Sequence, residues 1–323
     1  MLAGWITLSS IVQKGKFATL DQIIGLACRW DCGWYLNIAT HGYSVTSPAN
    51  QPGATNLAFW PAFPYAARLL STICGLPILI SGILLANIAF ISCLFFFKRY
   101  FTTIGLSNSL AIFSVFLVAF SPHSFIYSVF YGDAFALLGV IGSIYFARSQ
   151  RWWLSGLFAI LATSSRPTGV VLIVFLIINA YERLGWRGLL KPWRDPRPFI
   201  PVVLLPAGEL SVFLISYIVS GDAFAQAHSR LVGWHVGFEA PWTTIIVNLS
   251  QGPESIFWTV GALLLFLSII PLLRAQLFPE FAYTLFSFVL IFSSTEANGL
   301  LRYAVTVPTV FLGITLFLKD RRE

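Results

Sequence analysis

Nine apolar runs fill most of this 323-residue sequence from about residue 77 onward. A membrane-spanning helix needs roughly 20 apolar residues, and shorter runs are accommodated inside a bundle. The predicted spans lie near residues 77–97, 104–121, 133–147, 154–165, 167–181, 199–219, 256–273, 279–293 and 301–318. Because 57% of residues are hydrophobic and only 10% are charged, the chain has more apolar surface than one soluble core could bury. The sequence predicts an all-α polytopic membrane protein with about 9–10 transmembrane helices.

Basic residues between the runs set the predicted orientation, because short cytoplasmic loops are enriched in Lys and Arg. If the first full span runs from outside to inside, 13 of the 20 basic residues fall on the cytoplasmic side. These are Lys98, Arg99, Arg148, Arg151, Arg183, Arg187, Lys191, Arg194, Arg197, Arg274, Lys319, Arg321 and Arg322. Nucleic acid is not a predicted partner, since these residues occur in short groups between apolar runs rather than on one face.

The outer side holds most of the residues that could carry chemistry. Seven acids lie there, namely Asp21, Asp31, Asp133, Asp222, Glu239, Glu254 and Glu296. All four histidines, His41, His123, His228 and His235, lie there too. We therefore expect a functional site on the non-cytoplasmic face.

The predicted layout is a single integral membrane domain, 1–323. Residues 13–76 form the first non-cytoplasmic loop and 77–323 the transmembrane bundle, whose outer loops are 221–255 and 294–302. Residues 2–12 are apolar but too few to cross a membrane. This favours a start further upstream or a shortened first helix.

Two of the four cysteines, Cys28 and Cys32, are four residues apart in a predicted helix. Helical geometry at that spacing suits a disulfide poorly. A metal site completed by His41 is the alternative, although no second pair of ligands has matching spacing.

The stretch RWDCGWYLNIATHGY, residues 29–43, places acidic and aromatic residues together outside any apolar span. Between Leu26 and Thr40 there is no proline, which predicts a short amphipathic helix on the outer surface. Asp31, Trp34 and Tyr35 then share one face. Trp34 and Tyr35 suit the apolar face of a sugar ring, or alternatively serve as interfacial anchors. A polar loop and the aromatic segment NLAFWPAFP, residues 56–64, follow.

The stretch at residues 29–43, with NLAFWPAFP after it, resembles the first luminal loop of a mannosyltransferase family. That family is typified by GPI mannosyltransferase II, the phosphatidylinositol-glycan class V type. The segments SSRPTGV, GDAFAQAHSRLVGW, APW and RYAVTVPTVF are similar to later motifs of that family in the same order. The likeness extends from about residue 26 to 318.

The resemblance implies a GT-C-type bundle, in which an integral membrane glycosyltransferase uses a polyprenyl-phosphate sugar on the outer or luminal side. It implies inverting transfer of mannose or a similar hexose, with Asp31 at the active centre. The chain departs from the family at YGDAF, where a Thr-Glu pair is expected, and this places a role for Asp133 in question. Its compact loops favour a prokaryotic relative in the bacterial inner membrane with a periplasmic site, or an ER protein if the source is eukaryotic.

Such a transfer needs a base for the acceptor hydroxyl and cations for the departing phosphate. Asp31 is the predicted general base, with Trp34, Tyr35 and His41 shaping the sugar site. Guanidinium groups hold phosphate oxygens in pairs. The candidate phosphate ligands are Arg302, Arg166 and Arg230, with His228 as a further substrate contact. An arginine at a span end also commonly snorkels to lipid headgroups.

The pentapeptide GDAFA occurs at 132–136 and again at 221–225. Asp133 and Asp222 in these repeats are predicted to cap helices, since Asp accepts hydrogen bonds from free backbone N–H groups. The alternative is substrate binding, with a second acid and a divalent cation beside Asp31. No cofactor is otherwise indicated. The predicted partners are the polyprenyl-phosphate sugar donor, a glycan, lipid or protein acceptor, and membrane lipids.

Two other classes of protein fit parts of the sequence. In a transporter or flippase of a lipid-linked sugar, Glu209 would be the intramembrane acid that couples transport. A non-catalytic subunit of a glycan or lipid assembly is the third class, but the acidic and aromatic cluster would then have no evident purpose.

Overall fold

The computed structural model describes residues 27–295 and 299–320 of the chain. Within them the chain is helical, and extended pairing is limited to one bridge between Phe238 and Ser294. The first half contains α1 Cys32–His41, α2 Ala62–Cys74, α3 Ile78–Thr103, α4 Asn108–Ala119, α5 Asp133–Arg148, α6 Trp152–Thr163, α7 Leu172–Leu189 and α8 Ile200–Leu204. The second half contains α9 Pro206–Ser220, α10 Ala225–Trp234, α11 Pro241–Ser250, α12 Pro253–Phe266, α13 Ile269–Arg274, α14 Phe278–Phe292, α15 Leu300–Val305 and α16 Pro308–Asp320.

Each predicted apolar run coincides with a helix or with two consecutive helices. Four helical stretches are long and apolar enough to cross a membrane by length and composition: Ile78–Thr103, Pro167–Leu189, Arg197–Ser220 and Pro253–Arg274. Shorter apolar helices cover Asn108–Ala119, Trp152–Thr163, Phe278–Phe292 and Pro308–Lys319. The predicted all-α polytopic membrane fold is confirmed. The count of nine to ten spans and the GT-C arrangement stay predictions.

The packed face of α3 combines small residues with large aromatic ones. Ala86 and Ala89 are buried together with Phe97 and Tyr100, whereas Ile88 is exposed. Small residues let helix backbones approach closely, and such contacts drive association where lipid is as apolar as the side chains. The aromatic side chains fill the space that remains between the helices.

Glycines bring α5 and α6 into close contact. A Cβ added at Gly139 would lie 2.4 Å from the backbone nitrogen of Ala162, and one at Gly142 would lie 2.3 Å from the Phe158 ring. No side chain fits at either position. The two helices are therefore locked face to face, and the segment after α6, which begins at Ser164, is fixed relative to the start of α5.

A buried ionic network closes the end of α5 that is predicted to be cytoplasmic. Arg148 donates to Glu280 through Nε at 2.9 Å and to Glu182 at 2.7 Å. Tyr100 also donates to Glu280, at 2.6 Å. Glu280 has no solvent exposure. Charged and hydrogen-bonded partners offset the cost of burying this carboxylate.

The outer segments pack on one another rather than extending separately from the bundle. Ser229 on α10 accepts hydrogen bonds from the backbone N–H and the hydroxyl of Thr55, at 2.9 and 3.0 Å. Gln51 donates to the carbonyl of Gly233 at 2.9 Å. Further along, the N–H of Gly237 donates to the hydroxyl of Thr295. Loop 221–255 is thereby joined both to the first loop and to the segment before α15.

Gly233 is the tightest point of this packing and gives a direct test of it. A Cβ there would lie 2.4 Å from the Cα of Ala54. We expect Gly233→Ala to lower the free energy of unfolding by about 1–3 kcal/mol, because the backbone of the first loop must move. Thermal unfolding and the rate of tryptic cleavage after Arg230 report the change. Gly252→Ala is the matched control, since a Cβ there meets open space, and equal behaviour of the two variants would contradict the packing.

Candidate active site

The site begins at Asp31, which directly precedes α1 rather than lying inside a longer helix. The helix predicted from Leu26 to Thr40 is wrong at residues 27–31, where the chain turns, and agrees with α1 from Cys32 onward; Leu26 itself lies outside the described residues. The Tyr131 hydroxyl holds this turn. It accepts from the backbone N–H of Asp31 at 2.5 Å and donates to the carbonyl of Arg29 at 3.1 Å.

A disulfide between Cys28 and Cys32 encloses the same turn. The prediction against this pairing is wrong because it placed both cysteines in one helix. With Cys28 in the turn, the two Cα atoms are 5.1 Å apart, inside the roughly 4.4–6.8 Å that a disulfide accepts. The pairing also removes the alternative of a metal site with His41, which lies exposed at the end of α1.

Trp30 has a positive φ of 50°. A bulky residue rarely adopts this left-handed conformation, and such strain persists only where the surroundings impose it. Here the disulfide and the two Tyr131 hydrogen bonds impose it. The strained turn fixes where the Asp31 carboxylate can lie.

Arg302 on α15 approaches the Asp31 carboxylate, with Nη1 to Oδ2 at 3.7 Å. Its side chain is 20% exposed and that of Asp31 is 31% exposed, so both groups remain accessible to a ligand. Arg302 also lies over the ring of Tyr303, 4.9 Å from the centroid, and donates to the Tyr303 hydroxyl at 3.0 Å. The ring holds the guanidinium beside the carboxylate.

Arg166 and Asp133 form a buried ion pair next to these groups. The Asp133 side chain has no exposure, and that of Arg166 has 10%. Arg166 also lies 5.6 Å from the centroid of the Tyr303 ring. Tyr303 is thus in contact with both arginines. Asp133 does not cap α5 with its side chain, so the predicted capping role is wrong for this residue and the carboxylate faces Arg166.

Tyr35 lies between the two ion pairs, fully buried on α1. Burial raises the pKa of its hydroxyl above the usual value, against the opposing effect of Arg166. Burial likewise raises the pKa of Tyr131. Both hydroxyls therefore stay protonated at neutral pH and are suited to donating hydrogen bonds rather than to accepting a proton.

Aromatic rings cover the outer side of Tyr35. Trp34 stacks on Phe59 at 5.8 Å, and Trp234 of loop 221–255 meets Trp34 edge-on at 5.2 Å. Tyr35 itself contacts Phe59 at 5.2 Å. Because aromatic faces suit the C–H face of a sugar ring, this cluster keeps Trp34 and Tyr35 as sugar-binding candidates.

Other predicted site residues have partners within loop 221–255. His228 Nδ1 lies 2.7 Å from Asp222 on an exposed surface. Asp222 accepts from the N–H of Phe224 at 2.8 Å, and these two hydrogen bonds lower its pKa. Asp222 thus organises the turn before α10, but the N-cap of that helix is Phe224, so the predicted capping role is wrong for Asp222 too. Arg230 lies on the same helix, half-buried.

An apolar groove of about 580 Å³ lies between the start of α7, the second half of α14 and residues 238–240, which include Glu239. The first residue of its wall, Val170, lies four positions after Arg166. Phe286 and Val289 of the groove are exposed on a predicted span, so the groove is open to the lipid side of the bundle.

Neither Tyr303 nor Tyr131 was singled out from the sequence. Each adjoins a charged residue or a motif, in RYAV and YGDAF, but tyrosines at such positions are common in spans. The described residues contain no group of three or more His, Cys, Asp or Glu side chains placed to hold a metal. A divalent cation in this site stays a prediction.

Fold and site together define an all-helical, multi-pass membrane protein with a charged and aromatic site at one end of its bundle. The chain is 29% identical over 282 residues to GPI alpha-1,6-mannosyltransferase 2 of Cricetulus griseus, covering 76% of this chain and 53% of that protein. It is 27% identical over 209 residues to GPI alpha-1,6-mannosyltransferase 2 of Mus musculus, covering 61% and 39%. It thus spans about half or less of the length of these curated relatives. No family model and no solved structure matches. The predicted resemblance is confirmed as a similarity to two GPI alpha-1,6-mannosyltransferases at 27–29% identity.

Proposed function

We propose that this protein is a membrane mannosyltransferase that takes its sugar from a polyprenyl-phosphate donor and transfers it to an acceptor on the outer face. The similarity to two mannosyltransferases supports the reaction class. The observation that carries the proposal is the meeting of Asp31 and Arg302 at 3.7 Å. The proposed base and the proposed phosphate ligand are thereby adjacent, although they are 271 positions apart in the sequence.

In the proposed reaction Asp31 accepts the proton of the acceptor hydroxyl while the oxygen attacks the anomeric carbon. The bond from that carbon to the phosphate oxygen breaks, and the lipid phosphate leaves with both bonding electrons. Arg302 stabilises the charge that develops on the phosphate, because a guanidinium can bind two phosphate oxygens at once. Direct displacement inverts the anomeric configuration.

Arg166 has a different part in this scheme, because Asp133 already holds it. The buried pair positions the guanidinium against Tyr303, and Tyr303 in turn contacts Arg302. In the proposed site, the positive charge of Arg166 therefore helps to stabilise the phosphate, and Arg166 holds Arg302 in position through Tyr303. A polyprenyl chain would lie in the apolar groove whose wall begins at Val170, which matches an apolar ligand to an apolar surface.

The experiment is sugar transfer by purified protein in lipid vesicles. Radiolabelled polyprenyl-phosphate mannose is the donor and a membrane extract supplies the acceptor. We expect labelled product, competition by unlabelled polyprenyl phosphate, and no transfer from a nucleotide-linked mannose. Absence of transfer from the lipid donor would overturn the proposal.

The same vesicles test the transporter alternative. Glu209 is half-buried and accepts a hydrogen bond from the Trp60 indole at 3.4 Å. Movement of the donor across the bilayer that depends on Glu209, without transfer, would favour a transporter. Transfer that persists in Glu209→Gln would exclude a coupling role for this acid.

A further inference from the structure

His123 lies beside the strained turn but belongs to none of the groups described so far. It follows α4 and begins the segment 123–131, which packs against residues 27–31. The N–H of Phe130 donates to the carbonyl of Ala27 at 3.1 Å, and the Phe125 ring lies 6.1 Å from that of Trp30. His123 contacts Phe125 at 6.4 Å. The imidazole is thus part of the layer that supports Asp31.

Trp258 on α12 meets His123 edge-on, with ring centroids 5.5 Å apart. Its Nε1 is buried and has no hydrogen-bond partner within the described part of the chain. A buried donor without a partner costs about 1–3 kcal/mol, so such a group in a native protein calls for a ligand or a water molecule as its partner. The helix that carries it packs on α15, which carries Arg302; a Cβ on Gly261 would touch Leu301 at 3.2 Å.

The charge state of His123 limits what can bind there. Burial and the positive charge of Arg302 lower the pKa of His123 from its usual value, so the ring is neutral at pH 7. A neutral imidazole has one nitrogen that accepts a hydrogen bond and one that donates. An anion would be held by Arg302 instead. A hydroxyl group can accept from the indole N–H and donate to the imidazole nitrogen at the same time.

We propose that His123 and Trp258 form a subsite that binds sugar hydroxyls of the acceptor, next to the Asp31 and Arg302 pair. The inference rests on the proposed function, because it assigns the acceptor side of the same site. What it adds is the assignment of two residues, His123 and Trp258, to the acceptor side of that site.

Two conservative substitutions test this subsite in the vesicle assay. Trp258→Phe removes only the indole N–H and keeps a ring against His123, and His123→Asn removes the imidazole. We expect each to raise the KM for the acceptor about 5- to 10-fold, as the loss of one hydrogen bond to a hydroxyl does. The donor KM and kcat should stay within about twofold. Trp242→Phe and His235→Asn are the controls, since both side chains lie exposed on the outer surface.

A binding measurement separates failure of this inference from failure of the proposed function. The probe is octyl α-mannoside, and its binding is measured by calorimetric titration. The protein is held in phosphatidylcholine nanodiscs rather than in a sugar-based detergent, because such a detergent would compete with the probe. Binding that weakens about 5- to 10-fold in Trp258→Phe supports the subsite, even if no transfer occurs. Transfer with unchanged acceptor KM and unchanged mannoside binding in both variants overturns it, as does an equal rise in the donor KM. Absence of mannoside binding by the wild type overturns it as well.

Discussion

Asp31→Asn is expected to lower mannose transfer by about 10²- to 10⁴-fold, the usual contribution of a positioned general base. Asparagine has nearly the same size but accepts no proton. It is also a good residue for the position before a helix, so α1 should keep its start at Cys32. The 3.7 Å approach of Arg302 loses its ionic part, which leaves the guanidinium available for phosphate.

Two readouts make this test specific to the base. Thermal unfolding of Asp31→Asn should match that of the wild type, and donor binding should be unchanged or tighter. Glu254→Gln serves as the control, because Glu254 is an exposed outer acid in the first turn of α12. Retention of more than half of the wild-type rate in a folded Asp31→Asn protein would rule out Asp31 as the base.

Asp133→Ala should destabilise the fold by about 3–5 kcal/mol, since breaking a buried ion pair leaves its partner as an uncompensated charge. The Asp133 side chain has no solvent exposure, and Arg166 is almost as deeply buried. Denaturant or thermal unfolding in nanodiscs measures the loss. The double variant Asp133→Ala with Arg166→Met should recover much of it, because no charge is then left buried.

The exposed pair of Asp195 and Arg197, joined at 2.8 Å, offers the matched control. Water already solvates both groups, so Asp195→Ala should leave the unfolding transition unchanged. If Asp133→Ala behaved like Asp195→Ala, the buried pair would contribute nothing to stability. Failure of Arg166→Met to rescue would instead point to lost packing around the carboxylate.

Much of the bundle follows from hydropathy. The run at 77–97 predicts α3, because apolar length is a local property of the sequence; the helix itself continues through Lys98 and Arg99 to Thr103. The start of α1 at Cys32 could not be predicted from the sequence in this way. Nothing in residues 26–31 breaks a helix, and the turn arises from the disulfide and from Tyr131, a residue 100 positions away.

The candidate site shows the same division between local and distant information. Asp31, Arg302 and Arg166 could be selected from the sequence because each is a charged residue in or beside a motif at an outer end. The partner of Arg166 could not be selected, since Asp133 lies 33 residues earlier on another helix. Tyr303 acquires its position only when α15 packs beside the segment after α6. The Trp34 and Trp234 contact likewise depends on Gly233 meeting Ala54.

Helix α5 is held by a buried ion pair at each end, Asp133 with Arg166 and Arg148 with Glu280. Its 16 residues span about 24 Å at about 1.5 Å per residue. Sliding or tilting α5 would break one pair or the other, so the two ion pairs fix the position of the helix along its axis. Under the proposed function, substrate entry and product release would then be accommodated by the outer loops and the groove, while the distance between the two ionic clusters stays constant.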